Sequence, residues 1–199
     1  HVATDLSVAF IASVLENCPG AVHVFDHFHV VKLMNDHLDD IRRKVYAMEK
    51  DVNKRKVLKG TRYLLLGNGE DIFDQQHKTR LDNALAMNEP LSKAYYLKEQ
   101  LREIWSQISK EKAEAVLDDW VKQARESKIP QLMRMAATLL AHRRGILAWY
   151  DSHVSTGKVE GINNKIKVMK RNAYGFRDDR YFTLRLYALH DCRITRNVG

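Results

Sequence analysis

"ATDLSVAFIASVLENCPGAVHVFDHFHVVKLMND", residues 3–36, alternates short apolar runs with helical spacing, and its reading decides the fold. Residues 1–5 are mostly apolar and polar Ser7 follows soon after, which predicts a strand ending near Asp5. Residues 8–17, VAFIASVLEN, have helical spacing. That helix stops at residues 18–21, CPGA, because Pro19 disfavours a helical residue before it and Gly20 tolerates a turn. AVHVF at 21–25 predicts a second strand. From residue 30, Val31, Met34, Leu38, Ile41 and Val45 recur at three- and four-residue steps, which predicts a long amphipathic helix. Strand, helix, strand, helix is an α/β signature.

From about residue 55 to 150 the patterns are mainly helical. Leu97, Leu101, Ile104 and Ile108 form one stripe; Leu132, Met135 and Leu139 form another. An all-helical insert is expected there, with Pro90 and Pro130 at helix starts. GNGED at 67–71 reads as a turn with an acidic helix behind it. The tail from 181, YFTLRLYALHDCRI, returns to a helical period through Phe182, Leu186 and Leu189 and is expected to close the core.

The chain has 199 residues, enough for one or two folding units. Lys and Arg total 33 against 25 acids, and the formal charge of +8 favours polyanionic partners. Cys18 and Cys192 form no CxxC pair, which argues against a disulfide framework or zinc knuckle and for an intracellular setting. The sequence has no eighteen-residue apolar run and no signal-peptide pattern, so no membrane span is expected.

The stretch KVEGINNKIKVMKR, residues 158–171, sets one acid at the head of a basic segment. At about 100° per residue, Asn163, Asn164, Lys167 and Arg171 fall within about 60° of Glu160, and Ile162, Ile166 and Met169 lie opposite. A capping box does not account for Glu160, because the residue three before it is Gly157. A favourable place at the positive end of the helix dipole would account for the acid, but not for its neighbours. Asn163 and Asn164 can position a water or phosphate oxygen, and Lys165, Lys167, Lys170 and Arg171 offer phosphate contacts. A carboxylate among such groups suits a metal-dependent nuclease or strand-transfer site.

Asp5 is the natural partner, since ligands of open α/β sheets bind at the carboxyl ends of strands. A solvated strand-end acid or helix cap remains the plainer reading. Asp26 and His29 stand three apart after the second strand, within reach of each other across a helical turn. His23, His27, His29 and His37 suggest zinc, yet no cysteine or glutamate completes a standard spacing, so a structural or supporting Asp26–His29 pair is the better reading.

With residues 3–36 and "STGKVEGINNKIKVMKRNAYGFRDDRYFTLRLYALH" at 155–190 side by side, the chain resembles the C-terminal catalytic part of a bacterial insertion-sequence transposase of the DDE superfamily, ISL-type group. The resemblance implies an α/β, RNase H-like fold, truncated on its N-terminal side and interrupted by an all-helical insertion. The expected parts are a first catalytic segment at 1–54, the insertion at 55–150 and a last catalytic segment at 151–199. Asp5 matches the second acid of the catalytic triad and Glu160 the last, and both are expected to ligate Mg²⁺ or Mn²⁺ in a two-metal site. Asp26 and His29 match an Asp-x-x-His motif with a supporting role.

The remaining triad Asp is expected upstream of His1, which would leave this piece inactive by itself. The implied activity of the intact protein is DNA strand cleavage and strand transfer at insertion-sequence ends. The implied partners are double-stranded DNA, as terminal repeats and target, and further copies of the protein in the active complex, in the bacterial cytoplasm at the nucleoid. Asn164 and Lys167 are expected near the DNA or the attacking water, with Lys165, Lys170 and Arg171 attracting the backbone. Trp105, Trp120 and Trp149 could stack on DNA but suit a core at least as well. Lys54, Arg55 and Lys56 read as solvated surface before they read as a binding patch. The alternative is a non-catalytic nucleic-acid-binding module or a structural remnant of a transposase.

Overall fold

The computed structural model describes residues 1–189. It begins with strand β1 (Val2–Thr4), helix α1 (Val8–Asn17), strand β2 (His23–Phe25) and helix α2 (His27–Met48). β1 and β2 pair in parallel, with Val2 opposite His23, Ala3 opposite Val24 and Thr4 opposite Phe25. Parallel strands need a crossover, and α1 supplies it. The predicted bounds of α1 hold, between Ser7 as N-cap and Cys18 as C-cap. Its outer residues Val8, Phe10 and Leu15 are exposed, while Val14 is buried. Among the described residues the sheet has these two strands.

α2 starts earlier than the periodicity predicts. The Asp26 carboxylate accepts the Phe28 N–H at 2.9 Å, so the helix is capped at 26 and not near 30. Val30, Met34, Leu38 and Ile41 form its buried stripe, so Val30 takes the place expected for Val31. α2 packs against α6 (Glu89–Arg102) and α8 (Pro130–Ala141), and one hydrophobic core runs from Phe25 to Leu147.

Between them lie α3 (Val52–Leu58), α4 (Arg62–Leu66), α5 (Gln75–Ala86) and α7 (Lys110–Glu126), followed after α8 by α9 (Arg143–Leu147) and α10 (Trp149–Ser152). Pro90 and Pro130 stand in the first turns of α6 and α8, as expected. The GNGED stretch contains a 3₁₀ turn at Gly69–Asp71. The helix behind it is not acidic at its start: Asp74 caps it, and α5 opens on Gln75. The stripe of Leu97, Leu101 and Ile104 is buried, but Ile108 is 84% exposed. The reason is a break in phase, because α6 ends at Arg102 and a 3₁₀ turn follows at Glu103–Trp105.

The chain divides into two compact units, His1–Val154 and Ser155–Gly199. In the second, α11 (Gly157–Asn172) and α12 (Asp179–Ala188) form a helical pair. The turn between them uses Gly175 at φ +99°, a backbone conformation natural to glycine. Phe176 packs near Phe182, ring centroids 5.1 Å apart, and Met169 is buried. Phe182, Leu186 and Leu189 are half-buried in this unit. Cys192 and the end of the predicted tail lie outside the described residues.

Candidate functional site

Asp5 follows β1 directly and is half-buried. Its Oδ1 accepts the Ser7 N–H at 2.8 Å, a local turn that leads the chain into α1. Across the strand pair, the Asp26 N–H donates to the Thr4 carbonyl at 3.0 Å. Because Thr4 stands opposite Phe25, Asp5 and Asp26 leave the same end of neighbouring strands, whose axes lie about 4.8 Å apart.

Asp26 is buried, 2% exposed. Besides capping α2, its carboxylate lies 3.4 Å from His27 Nδ1, and its carbonyl accepts the His29 N–H at 3.1 Å. The His29 ring lies edge-on to Phe28, centroids 5.7 Å apart. The other histidines of the region serve different surroundings. His23 Nε2 is 2.6 Å from Thr4 Oγ1, and its ring contacts Phe25. Burial, and then the nearby His142, hold His23 below the usual imidazole range. His37 is lowered by burial and then by Arg134. Among the described residues no three His, Cys, Asp or Glu side chains gather into a group that could hold a metal ion, so the four histidines form no zinc site there.

Glu160 stands in the first turn of α11 and is half-buried; its N–H donates to the Thr156 carbonyl at 2.9 Å. Asn163, Asn164, Lys165, Lys167, Lys170 and Arg171 are exposed on the same helix, with Lys170 and Arg171 in its last turn. This distribution suits the dipole, negative at the N-terminus and positive at the C-terminus. Lys170 Nζ also lies over the Phe182 ring, 5.0 Å from its centroid. Of the apolar residues expected opposite Glu160, Met169 is buried, Ile166 is half-buried and Ile162 is exposed. α11 thus brings Glu160, Asn164 and Lys167 together, and the strand ends bring Asp5 and Asp26 together. Asp5 and Glu160 themselves belong to different units.

As donors, both acids fit a hard divalent cation, which takes carboxylate oxygens. Trp120 is fully buried and donates its indole N–H to the Leu97 carbonyl at 2.7 Å, which removes it as a stacking surface. Trp105 and Trp149 are half-buried, and Trp149 contacts the His153 ring at 4.4 Å between centroids. Arg55 of the 54–56 run lies over the Tyr46 ring at 4.8 Å. Sequence spacing missed the Thr4–His23 contact, which depends on strand register, and the approach of His142 and Gly145 to β2. Among the described residues no helix is long and apolar enough to cross a membrane.

Comparison with known proteins agrees with the strand and helix motifs. A family model described as a transposase, of the DDE type and ISL3 group, matches residues 1–186. The chain is 38% identical to the transposase for insertion sequence element IS1001 of Bordetella parapertussis, with 94% of this chain and 46% of that protein covered. It is 31% identical to the transposase for insertion sequence element IS1557 of Mycobacterium tuberculosis, with 89% and 44% covered. The chain therefore spans a little under half the length of these curated relatives. No solved structure matches it. With a family match across nearly the whole chain and both acid-bearing motifs inside it, this chain belongs to the ISL3-like DDE transposases of bacterial insertion sequences.

Proposed function

We propose that this chain carries two of the acids with which a transposase cleaves DNA at insertion-sequence ends and joins the freed strand to a target. The observation that carries the reading is the position of Asp5, at the carboxyl end of a strand in a parallel pair, inside a chain matched to DDE transposases over residues 1–186. Glu160 is the second acid, presented beside Asn164 and Lys167 on α11. The finer fold assignment is RNase H-like, with first and last catalytic parts at 1–54 and 151–199 around a helical insertion at 55–150.

In this reading Asp5 and Glu160 each serve as a carboxylate ligand of Mg²⁺ or Mn²⁺. Such ions, when bound, stabilise charge on the attacking and leaving oxygens of phosphoryl transfer. The chain's own groups orient the DNA. Asn164 and Lys167 act near the DNA or the attacking water, while Lys165, Lys170 and Arg171 draw in the backbone. Buried Asp26, with His29 behind it, supports the strand end that bears Asp5. The substrates are double-stranded terminal repeats and target DNA in the bacterial cytoplasm, and several copies of the protein assemble on them.

The test is cleavage of terminal-repeat DNA by the full-length protein carrying Asp5→Asn or Glu160→Gln. Loss of at least about a thousandfold in rate is expected for each, on the order of 4 kcal/mol of transition-state stabilisation. Cleavage that persists in both variants would remove the catalytic assignment. A second reading, DNA binding without chemistry, draws on the exposed cations of α11; it predicts retained DNA affinity and no cleavage in the unaltered protein.

A further inference from the structure

The end of β1 is held by hydrogen bonds whose directions can be assigned from chemistry alone. The Asp5 carbonyl can only accept, so its 2.8 Å contact with Thr4 Oγ1 makes the Thr4 hydroxyl a donor. A hydroxyl has one proton. Across the strand pair, His23 Nε2 lies 2.6 Å from the same Oγ1, so the imidazole must supply that hydrogen. The chain therefore runs from His23 Nε2–H to the Thr4 hydroxyl and on to the Asp5 carbonyl.

The His23 ring is itself confined. It lies 4.5 Å from the Phe25 ring, centroid to centroid, and Phe25 in turn meets His142 edge-on at 4.9 Å. Gly145 lets α9 approach β2 so closely that an added Cβ would come within 3.2 Å of the His23 carbonyl. Asp5 is meanwhile held at its side chain by the Ser7 N–H. Its backbone carbonyl and its carboxylate are thus fixed separately, one through His23 and one through the turn.

We infer that His23 is a positioning residue for Asp5, acting through the Thr4 hydroxyl to hold the Asp5 backbone carbonyl, and with it the peptide from which the carboxylate projects, at the strand end. The inference rests on the reading of Asp5 as a cation ligand. Groups that orient a metal ligand in this indirect way typically change metal affinity or activity by about 10- to 100-fold when removed. The role asks for a donor at the position of Nε2 and a hydroxyl at residue 4, and it asks nothing else of either side chain.

The experiment is a Mn²⁺ titration of the 199-residue chain, with free Mn²⁺ read by electron paramagnetic resonance and thermal melts recorded for each variant. Thr4→Val and His23→Ala are expected to weaken Mn²⁺ binding by about tenfold or more. Thr4→Ser and His23→Gln, which keep the hydroxyl and the donor, are expected to stay within about threefold of the parent. Binding by Thr4→Val equal to the parent, with Asp5→Asn unable to bind, would overturn the inference and leave the site standing. Parent-like binding by Asp5→Asn would overturn the reading of Asp5, and the inference with it. A long-range ¹H–¹⁵N spectrum at neutral pH tests the relay without metal and without mutation: the His23 proton is expected on Nε2, and a proton on Nδ1 alone would refute it.

Discussion

Gly145 and Phe25 occupy adjoining space so closely that a Cβ at position 145 would fall 2.5 Å from Phe25 Cδ2 and 2.6 Å from Cε2. Real side-chain carbons do not approach a ring this way, so α9 and β2 are fitted through the absence of a side chain. Gly145→Ala is expected to destabilise the protein by about 1–3 kcal/mol, as overpacking does in a core with no room to yield. The check is the urea midpoint, which should fall with little change in slope.

Asp26 serves α2 as a cap and, in the proposed site, supports the strand end. The two duties separate by substitution. Asp26→Ala removes the acceptor of the Phe28 N–H and should cost about 1–2 kcal/mol in chemical denaturation. Asp26→Asn keeps an acceptor oxygen there, so stability should change less, while DNA cleavage should fall if the charge contributes. Equal losses of stability in both variants would contradict the capping account.

Tyr95 is pushed up to about 12 from 10.0 by burial first, with the charge of Glu99 adding to it. Between these two values the unfolded chain releases the phenolic proton and the folded chain keeps it. Stability should therefore fall as pH rises from about 10 to about 12. Tyr95→Phe should remove this part of the alkaline slope. The measurement is denaturant unfolding at several alkaline pH values, with tyrosinate absorbance showing a late-ionising phenol that disappears in Tyr95→Phe; Tyr150, also raised by burial, stays in both proteins.

Lys165, Lys167, Lys170 and Arg171 are exposed along α11. If all four contact phosphates, replacing them with glutamine should reduce the slope of log affinity against log salt by about 3–4 for duplex DNA. Lys170→Gln should have the smallest effect of the four, because its ammonium already lies over Phe182. Fluorescence anisotropy at several salt concentrations reads both effects. An unchanged slope would place the DNA on another surface.

The legible parts of the fold are those written in short spacings. Ser7 and Pro19 bracket α1, and both of its bounds fall where the sequence puts them. The start of α2 is not legible in the spacing, because a cap is a single side-chain hydrogen bond and Asp26 carries no periodic signal. Ile108 looked like the next step of a stripe, since nothing in residue type announces the 3₁₀ turn that rotates it outward. Asp5 and Glu160 were readable as candidates from their neighbours. The Thr4–His23 contact was not, because it follows from a strand register fixed between residues 19 positions apart.

Phe25 and His142 touch across 117 positions of sequence, and that span bears on the order of folding. During synthesis β2 leaves the ribosome long before α9 exists, so its aromatic face must wait, uncovered, for most of the helical region to be made. Closing so long a loop is slow compared with forming the intervening helices. The strand end beside Asp5 is thus among the last places to acquire its final shape, and a nascent chain ending before α9 would present Phe25 to whatever chaperone or neighbouring chain it meets first.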